Sequence, residues 1–193
     1  MTSKIITIQS ENRYTSTAIV FHWILAVGLL VNVSIALIYP YFGDQYIRLA
    51  IDSHKSIGIT LLGLAILRLL WRITHKPPTY PIKQSGVVRG LVKSTHALLY
   101  SLIILIPLSG WMHDSAWKAA NEIKMYWFGF FEWPRITWIM EIEAEKKEML
   151  HSLFGGFHEW FSYILYALVL LHIVGALKHH FSNTERIRGR GMI

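Results

Sequence analysis

From Ala18 to Tyr39 the chain is almost unbroken in apolar residues, with His22, Asn32 and Ser34 as the notable polar interruptions. About 22 helical residues suffice to cross a hydrocarbon layer of roughly 30 Å, so this pattern predicts a membrane-spanning helix over 18–39. A second apolar run, 54–72, stops before Pro77 and Pro78, which cannot continue a helix. A third, 91–112, has His96 near its start and Pro107 with Gly110 near its end. Proline and glycine are tolerated there only where neighbouring helices satisfy the freed backbone. The fourth, 157–178, carries His158 at one end and His172 towards the other. The expected fold is all-α: a single integral membrane domain over 1–193 built as a four-helix bundle.

The connection 113–156 departs from this pattern. Tyr126, Trp127, Phe128, Phe130, Phe131, Trp133 and Trp138 form an aromatic cluster suited to headgroup level, and Glu141 to Leu150 reads as a short charged helix entering the fourth span. The first span is too long for a signal-peptide core, follows a mostly polar stretch, and has a poor cleavage site at Tyr39 to Phe42, so it is read as permanent.

Composition agrees with lipid: 53% of the 193 residues are hydrophobic and 16% charged, against about a quarter charged in soluble domains. The net charge of +7 does not point to nucleic acid, because the basic residues border the apolar runs. Arg72, Lys76, Lys83 and Arg89 lie between the second and third spans, and Arg186, Arg188 and Arg190 lie in the tail. These segments, and with them both termini, are expected to be cytoplasmic. The loop around Asp44 and the connection with Glu141, Glu143, Glu145 and Glu148 are then expected outside. With no cysteine, disulfides, thiolate metal sites and covalently attached haem are excluded.

Ionisable residues inside a span are costly and point to function, and here there are several. Taking helix direction into account, His22, His96 and His172 fall at a cytoplasmic level, and His54 and His158 at an outer one. His158 and His172 lie 14 positions apart, roughly 21 Å along one helix and on nearly the same face, so one helix serves both levels. Two planar macrocycles gripped by imidazoles from facing helices fit such a bundle. Depth alone leaves His22 and His96 equivalent as the cytoplasmic partner of His172. Mononuclear zinc or copper would need three or four converging ligands, and no acid accompanies the histidines within the spans. His75, His113 and His151 fall in loops or at span edges, where solvated histidine is the default, and are assigned no role.

At these residues the chain resembles the bacterial cytochrome b561 family. The shared features are Arg13-Tyr14 before Phe21-His22-Trp23, then His54-Lys55-Ser56-Ile57-Gly58, Arg68-Leu69-Leu70-Trp71-Arg72 with Pro77 and Pro78, and His96 leading to Pro107-Leu108-Ser109-Gly110. His158-Glu159, Leu171-His172 and Ala176-Leu177-Lys178-His179-His180-Phe181 complete the series. The resemblance implies two b haems, with His22 and His172 for the cytoplasmic iron and His54 and His158 for the outer one. It also implies a propionate or quinone contact for His96. Arg68 and Arg72, at i and i+4, are suited to haem propionates and equally to lipid phosphate. The outer connection and the ending Arg188-Gly189-Arg190-Gly191-Met192-Ile193 depart from the family pattern.

The expected function is electron transfer in the bacterial inner membrane, to or from ubiquinone or another quinone, with lipid, quinone and an unidentified redox donor or acceptor as partners. Some family members oxidise superoxide and reduce ubiquinone. Lys118, Lys124, Arg135, Lys146 and Lys147 are the residues available for the positive funnel that such an activity would use, but the nearby acids leave that loop near neutral or negative overall. A cytochrome b anchor within a larger dehydrogenase or hydrogenase complex is the alternative. A haem-free transporter relaying protons or metal through histidines is the third class.

Overall fold

A computed structural model of the chain describes residues 15–75 and 86–189, the side chains of 179–189 excepted. Arg13, Tyr14, Lys76, Pro77, Pro78, Lys83 and Arg190, and the side chains of His179, His180, Arg186 and Arg188, lie outside the described set. Four long helices dominate: α1 (Ser16–Ile38), α2 (Asp44–Thr74), α3 (Gly86–Ser115) and α5 (Ala144–Gly189). A single helical turn, α4 (Thr137–Met140), and a two-stranded hairpin, β1 (Tyr126–Trp127) with β2 (Phe131–Glu132), lie between α3 and α5. We call the end with this connection the cap end and the opposite one, with the 75–86 connection, the terminal end.

All four long helices are apolar and long enough to span a bilayer. They leave large side chains such as Trp23, Leu30, Leu105 and Leu171 exposed, which is how a helix behaves when lipid, and not only its neighbours, solvates it. Thr15 caps α1 by accepting from the Ala18 N–H, and Pro40, in the 3₁₀ turn Tyr39–Tyr41, follows its end. Asp44 sits in the first turn of α2 and Arg72 in its last, each complementing the helix dipole. Several hydroxyls inside the spans bond back to carbonyls of their own helix, as Ser34 does to Leu30 and Ser162 to His158, and so do not need water.

The helices run beyond the apolar stretches. α2 begins at Asp44, so His54 lies ten residues, about 15 Å, inside it and does not open it. The charged stretch that starts at Ala144 is continuous with the fourth span and forms one helix, α5. His113 is still within α3 and His151 already within α5, neither of them in a loop. Length was legible only where residues were apolar, because hydropathy marks the bilayer and not the end of the hydrogen-bonded helix.

Close packing joins α3 to α5, α1 to α2, and α2 to α3. Gly28 permits the α1–α2 contact, since a Cβ there would lie 2.8 Å from Leu61 Cδ2. Leu25, Leu61 and Ala65 form the buried centre, with Ile103 and Ile104 of α3 against it. Among the described residues α1 and α2 do not pack closely on α5. Room is therefore left between the helices that carry facing histidines.

The cap is tied to α2 by side chains just past His54. Ser56 Oγ accepts from the Phe128 N–H at 3.0 Å and lies 3.2 Å from the Tyr126 carbonyl, and Trp127 Nε1–H donates to Thr60 Oγ1. Phe128 is held at φ 46, a left-handed conformation unfavourable for an L residue with a bulky side chain, and the Ser56 bond falls on that same residue. Asp114 joins three segments: it accepts from Lys55 of α2 and from Arg135 Nε of the cap, while Arg135 Nη1 donates to the Ala120 and Ile123 carbonyls.

Candidate functional site

The histidines meet at two levels. At the cap end His54 of α2 and His158 of α5 have ring centres 6.0 Å apart. At the terminal end His22 of α1 and His172 of α5 are 6.4 Å apart, and His96 of α3 is 5.5 Å from His172. A metal–imidazole bond of about 2 Å puts the ring centres of two histidines ligating one iron from opposite sides at about 6 Å. Both α2–α5 and α1–α5 pairs meet that spacing. His96 remains beside His172, so distance does not separate it from His22.

The cap-end pair is suited to ligation. His54 donates Nδ1–H to the Asn32 carbonyl at 3.2 Å, and His158 donates Nδ1–H to the Ile106 carbonyl at 2.9 Å. With Nδ1 committed, each ring keeps its Nε2 lone pair for a metal, the arrangement that fixes tautomer and orientation in ligating histidines. The His158 ring lies against Gly110, where a Cβ would come within 3.0 Å of it, so glycine lets the ring sit this close. Both rings line a cavity of about 750 Å³ whose wall also includes Asn32, Lys55, Gly110 and Tyr166. Asn32 is buried with Oδ1 unpaired by protein, leaving a polar atom available to a bound group.

At the terminal end the anchoring is looser. His96 donates Nδ1–H to the Val92 carbonyl of its own helix at 2.7 Å. Arg68 lies within electrostatic reach of both His22 and His172, with its guanidinium over the Tyr100 ring at 5.3 Å, whereas Arg72 is exposed one turn further on. Trp71 Nε1–H donates to Thr15 Oγ1, tying the start of α1 to this end of α2. Among the described residues no group of three or more metal-ligating side chains gathers.

The basic residues singled out for a funnel are mostly paired. Lys124 bonds Glu132 at 2.6 Å, and that carboxylate raises the lysine's pKa above its ordinary value. Lys146 pairs with Glu143, Arg135 with Asp114, and buried Lys147 donates to the Met140 carbonyl. Among the described residues Lys118 makes no ion pair. The carbonyl anchors on His54 and His158, the glycine opposite His158 and the contact of His113 with His151 are not legible in the order of residues along the chain. The glycine alone leaves a partial signal, at i+3 from Pro107 in an apolar helix.

Four helices long and apolar enough to span a membrane, with histidines facing one another between them, are the frame that a membrane cytochrome of the b type requires. The chain belongs to the prokaryotic cytochrome b561 family, whose pattern matches residues 13–189. It is similar to cytochrome b561 homolog 2 of Escherichia coli (strain K12), 28% identical over 91% of this chain and 89% of that protein. It is also similar to cytochrome b561 homolog 1 of the same organism, at 26% identity over 88% and 91%. A probable superoxide oxidase CybB of Yersinia pestis is 24% identical over 89% and 90%. The protein is thus a multi-pass b-type cytochrome of the bacterial inner membrane that takes part in electron transfer.

Proposed function

We propose that the chain holds two b haems, one between His54 and His158 and one between His22 and His172, and passes electrons between a quinone and a partner outside the membrane. The observation that carries this reading is the pair of ring-centre separations, 6.0 and 6.4 Å, each between helices that are not closely packed. A b haem with two axial imidazoles has no open position and changes only its oxidation state. The protein's work is then to hold the imidazoles, exclude water and set the spacing. Along α5 the two levels are about 21 Å apart, a span that crosses most of the hydrocarbon layer.

The same reading places the cap end outside and the terminal end in the cytoplasm, supported by Arg72 and Arg89 at the terminal end and by Glu141, Glu143, Glu145 and Glu148 at the cap end. His96 and Arg68 serve the terminal-end haem, as propionate or quinone contacts beside the His22–His172 pair. Superoxide oxidation, the activity in the Yersinia relative's name, is a specific version in which the outside donor is an anion. In this chain such a donor meets Lys118 and the net positive Lys55–Asp114–Arg135 group, since the other cap lysines are already engaged.

The test is haem content per polypeptide, by pyridine haemochrome on detergent-purified protein with a reduced-minus-oxidised spectrum. Two b haems are expected. One would remove a histidine pair from the reading, and none, after expression with ample haem, would overturn it.

A further inference from the structure

His113 and His151 repeat, with the helices exchanged, the device that holds His158. His158 of α5 lies over Gly110 of α3 and donates Nδ1–H to a carbonyl of α3. His113 of α3 lies over Gly155 of α5, where a Cβ would come within 2.9 Å of its ring, and donates Nδ1–H to the His151 carbonyl at 2.8 Å. His151 returns the bond, Nδ1–H to the His113 carbonyl at 3.0 Å, and the two rings stack with centres 3.9 Å apart and planes 18° apart. Two imidazoles each fixed through Nδ1 present two Nε2 lone pairs.

Both rings line the cavity that His54 and His158 line. Along α5, His151 is seven residues capward of His158, about 10 Å, so the pair lies between the cap-end ligands and the cap. Rings stacked nearly in parallel do not converge their lone pairs on one ion, so this is a poor metal site. Neutral imidazole nitrogens accept hydroxyl hydrogens, and the wall near the pair combines the aromatic Trp111 and Trp117 with the Lys55–Asp114 ion pair.

We propose that His113 and His151 form the proton-exchange site for a hydroquinone-class carrier at the cap-end haem, an inference that rests on the reading of His54 and His158 as its ligands. An O–H bond of the hydroquinone breaks. Its proton would go to Nε2 of one imidazole and its electron to the haem that His54 and His158 would hold. Once that electron has moved on, a second such step at the partner imidazole leaves the quinone. Run in reverse, the same nitrogens return protons to a quinone being reduced. Unlike an iron ligand, such a pair matters only when the electron travels with a proton.

Stopped-flow reduction of the haem-loaded protein by a short-chain ubiquinol tests this, with the methyl viologen radical, which gives an electron and no proton, as control. In His113→Gln/His151→Gln the ubiquinol-driven phase at the cap-end haem is expected to slow about 100-fold, the low end of what a positioned base contributes. The viologen-driven phase is expected to stay within about twofold of that in the unsubstituted protein, and the slowing of the ubiquinol phase in D₂O is expected to disappear. A ubiquinol rate within about threefold, or equal slowing with both reductants, overturns the proposal. Slowing with ascorbate but not with ubiquinol overturns the hydroquinone class. If the double variant does not assemble, His151→Gln alone, which keeps the backbone carbonyl that holds His113, carries the same comparison. The spectrum recorded before mixing separates the two failures: unsubstituted protein without a cap-end haem refutes the ligand reading, whereas a present haem reduced normally refutes only the role of this pair.

Discussion

The two ends of the bundle hold histidines in different ways. At the cap end both facing rings are fixed by backbone carbonyls of another helix, Asn32 for His54 and Ile106 for His158, and covered by a segment bonded to Ser56, Thr60 and Asp114. At the terminal end three rings share one level, and His96 is anchored within its own helix. A ring held across helices reports the packing of the bundle, so the cap end couples ligand geometry to tertiary structure. A ring held within its own helix keeps its orientation even if the helices shift. The cap end is thus the rigid, enclosed site and the terminal end the adaptable one.

The largest expected effect breaks the first half of that contrast. Replacing His54 or His158 by alanine should lower haem content from two to one per chain, with the remaining spectrum that of the terminal-end haem. Gly110→Val should have the same result with every ligand present, because the added Cβ alone comes within 3.0 Å of the His158 ring. Two haems retained in Gly110→Val would show that the ring can move, and the cap end would lose its claim to rigidity.

Next in size is the charge group under the cap. Asp114 is buried and, among the described residues, is the acid paired with both Lys55 and Arg135, whose side chains are 19% and 5% exposed. Asp114→Ala would strand two cations in a poorly solvated place, a loss of about 3–5 kcal/mol and on the order of 10 °C in thermal unfolding in detergent. A change under about 1 kcal/mol would mean that the cap is held by the hairpin contacts alone.

The spans and the existence of two histidine levels were legible in the sequence because both depend on local facts: long apolar runs, and histidines at countable depths within them. What was not legible depends on partners distant in the chain. The His54 bond to Asn32 and the His158 bond to Ile106 run between helices, and no periodicity announces a carbonyl as an acceptor. His113 and His151 looked like solvated edge residues because the apolar runs end there, yet α3 and α5 continue past them and pack together. The near-neutral balance of the outer connection was legible, but counting its charges does not show which carboxylates sit beside Lys124 and Lys146.

The terminal end supplies the sharpest test of the comparison. The family resemblance favours His22 as the partner of His172, but spacing alone allows His96, whose ring is closer, 5.5 Å against 6.4 Å. Direction argues for His22: α1 and α5 do not pack closely, leaving a slot, whereas α3 packs on α5 most extensively of all and leaves little width between His96 and His172 for a macrocycle. His22→Ala should therefore remove the terminal-end haem and His96→Ala should keep it, while slowing exchange with quinone if His96 contacts that carrier. The reverse pattern of haem loss would exchange the two assignments.

The smallest expected effect returns to the cap. Ser56→Ala removes the acceptor for the Phe128 N–H, at the residue held in the left-handed region, together with a hydroxyl that reaches the Tyr126 carbonyl. An unmade bond at a half-buried group costs about 1–3 kcal/mol, so the hairpin should loosen while the helices and haem content stay as they were. Hydrogen exchange at 126–132 should then rise with no change in the haem spectrum. If the spectrum of the cap-end haem shifted as well, Ser56 would be shaping the site two residues away at His54, and the cap would be part of the site and not only its cover.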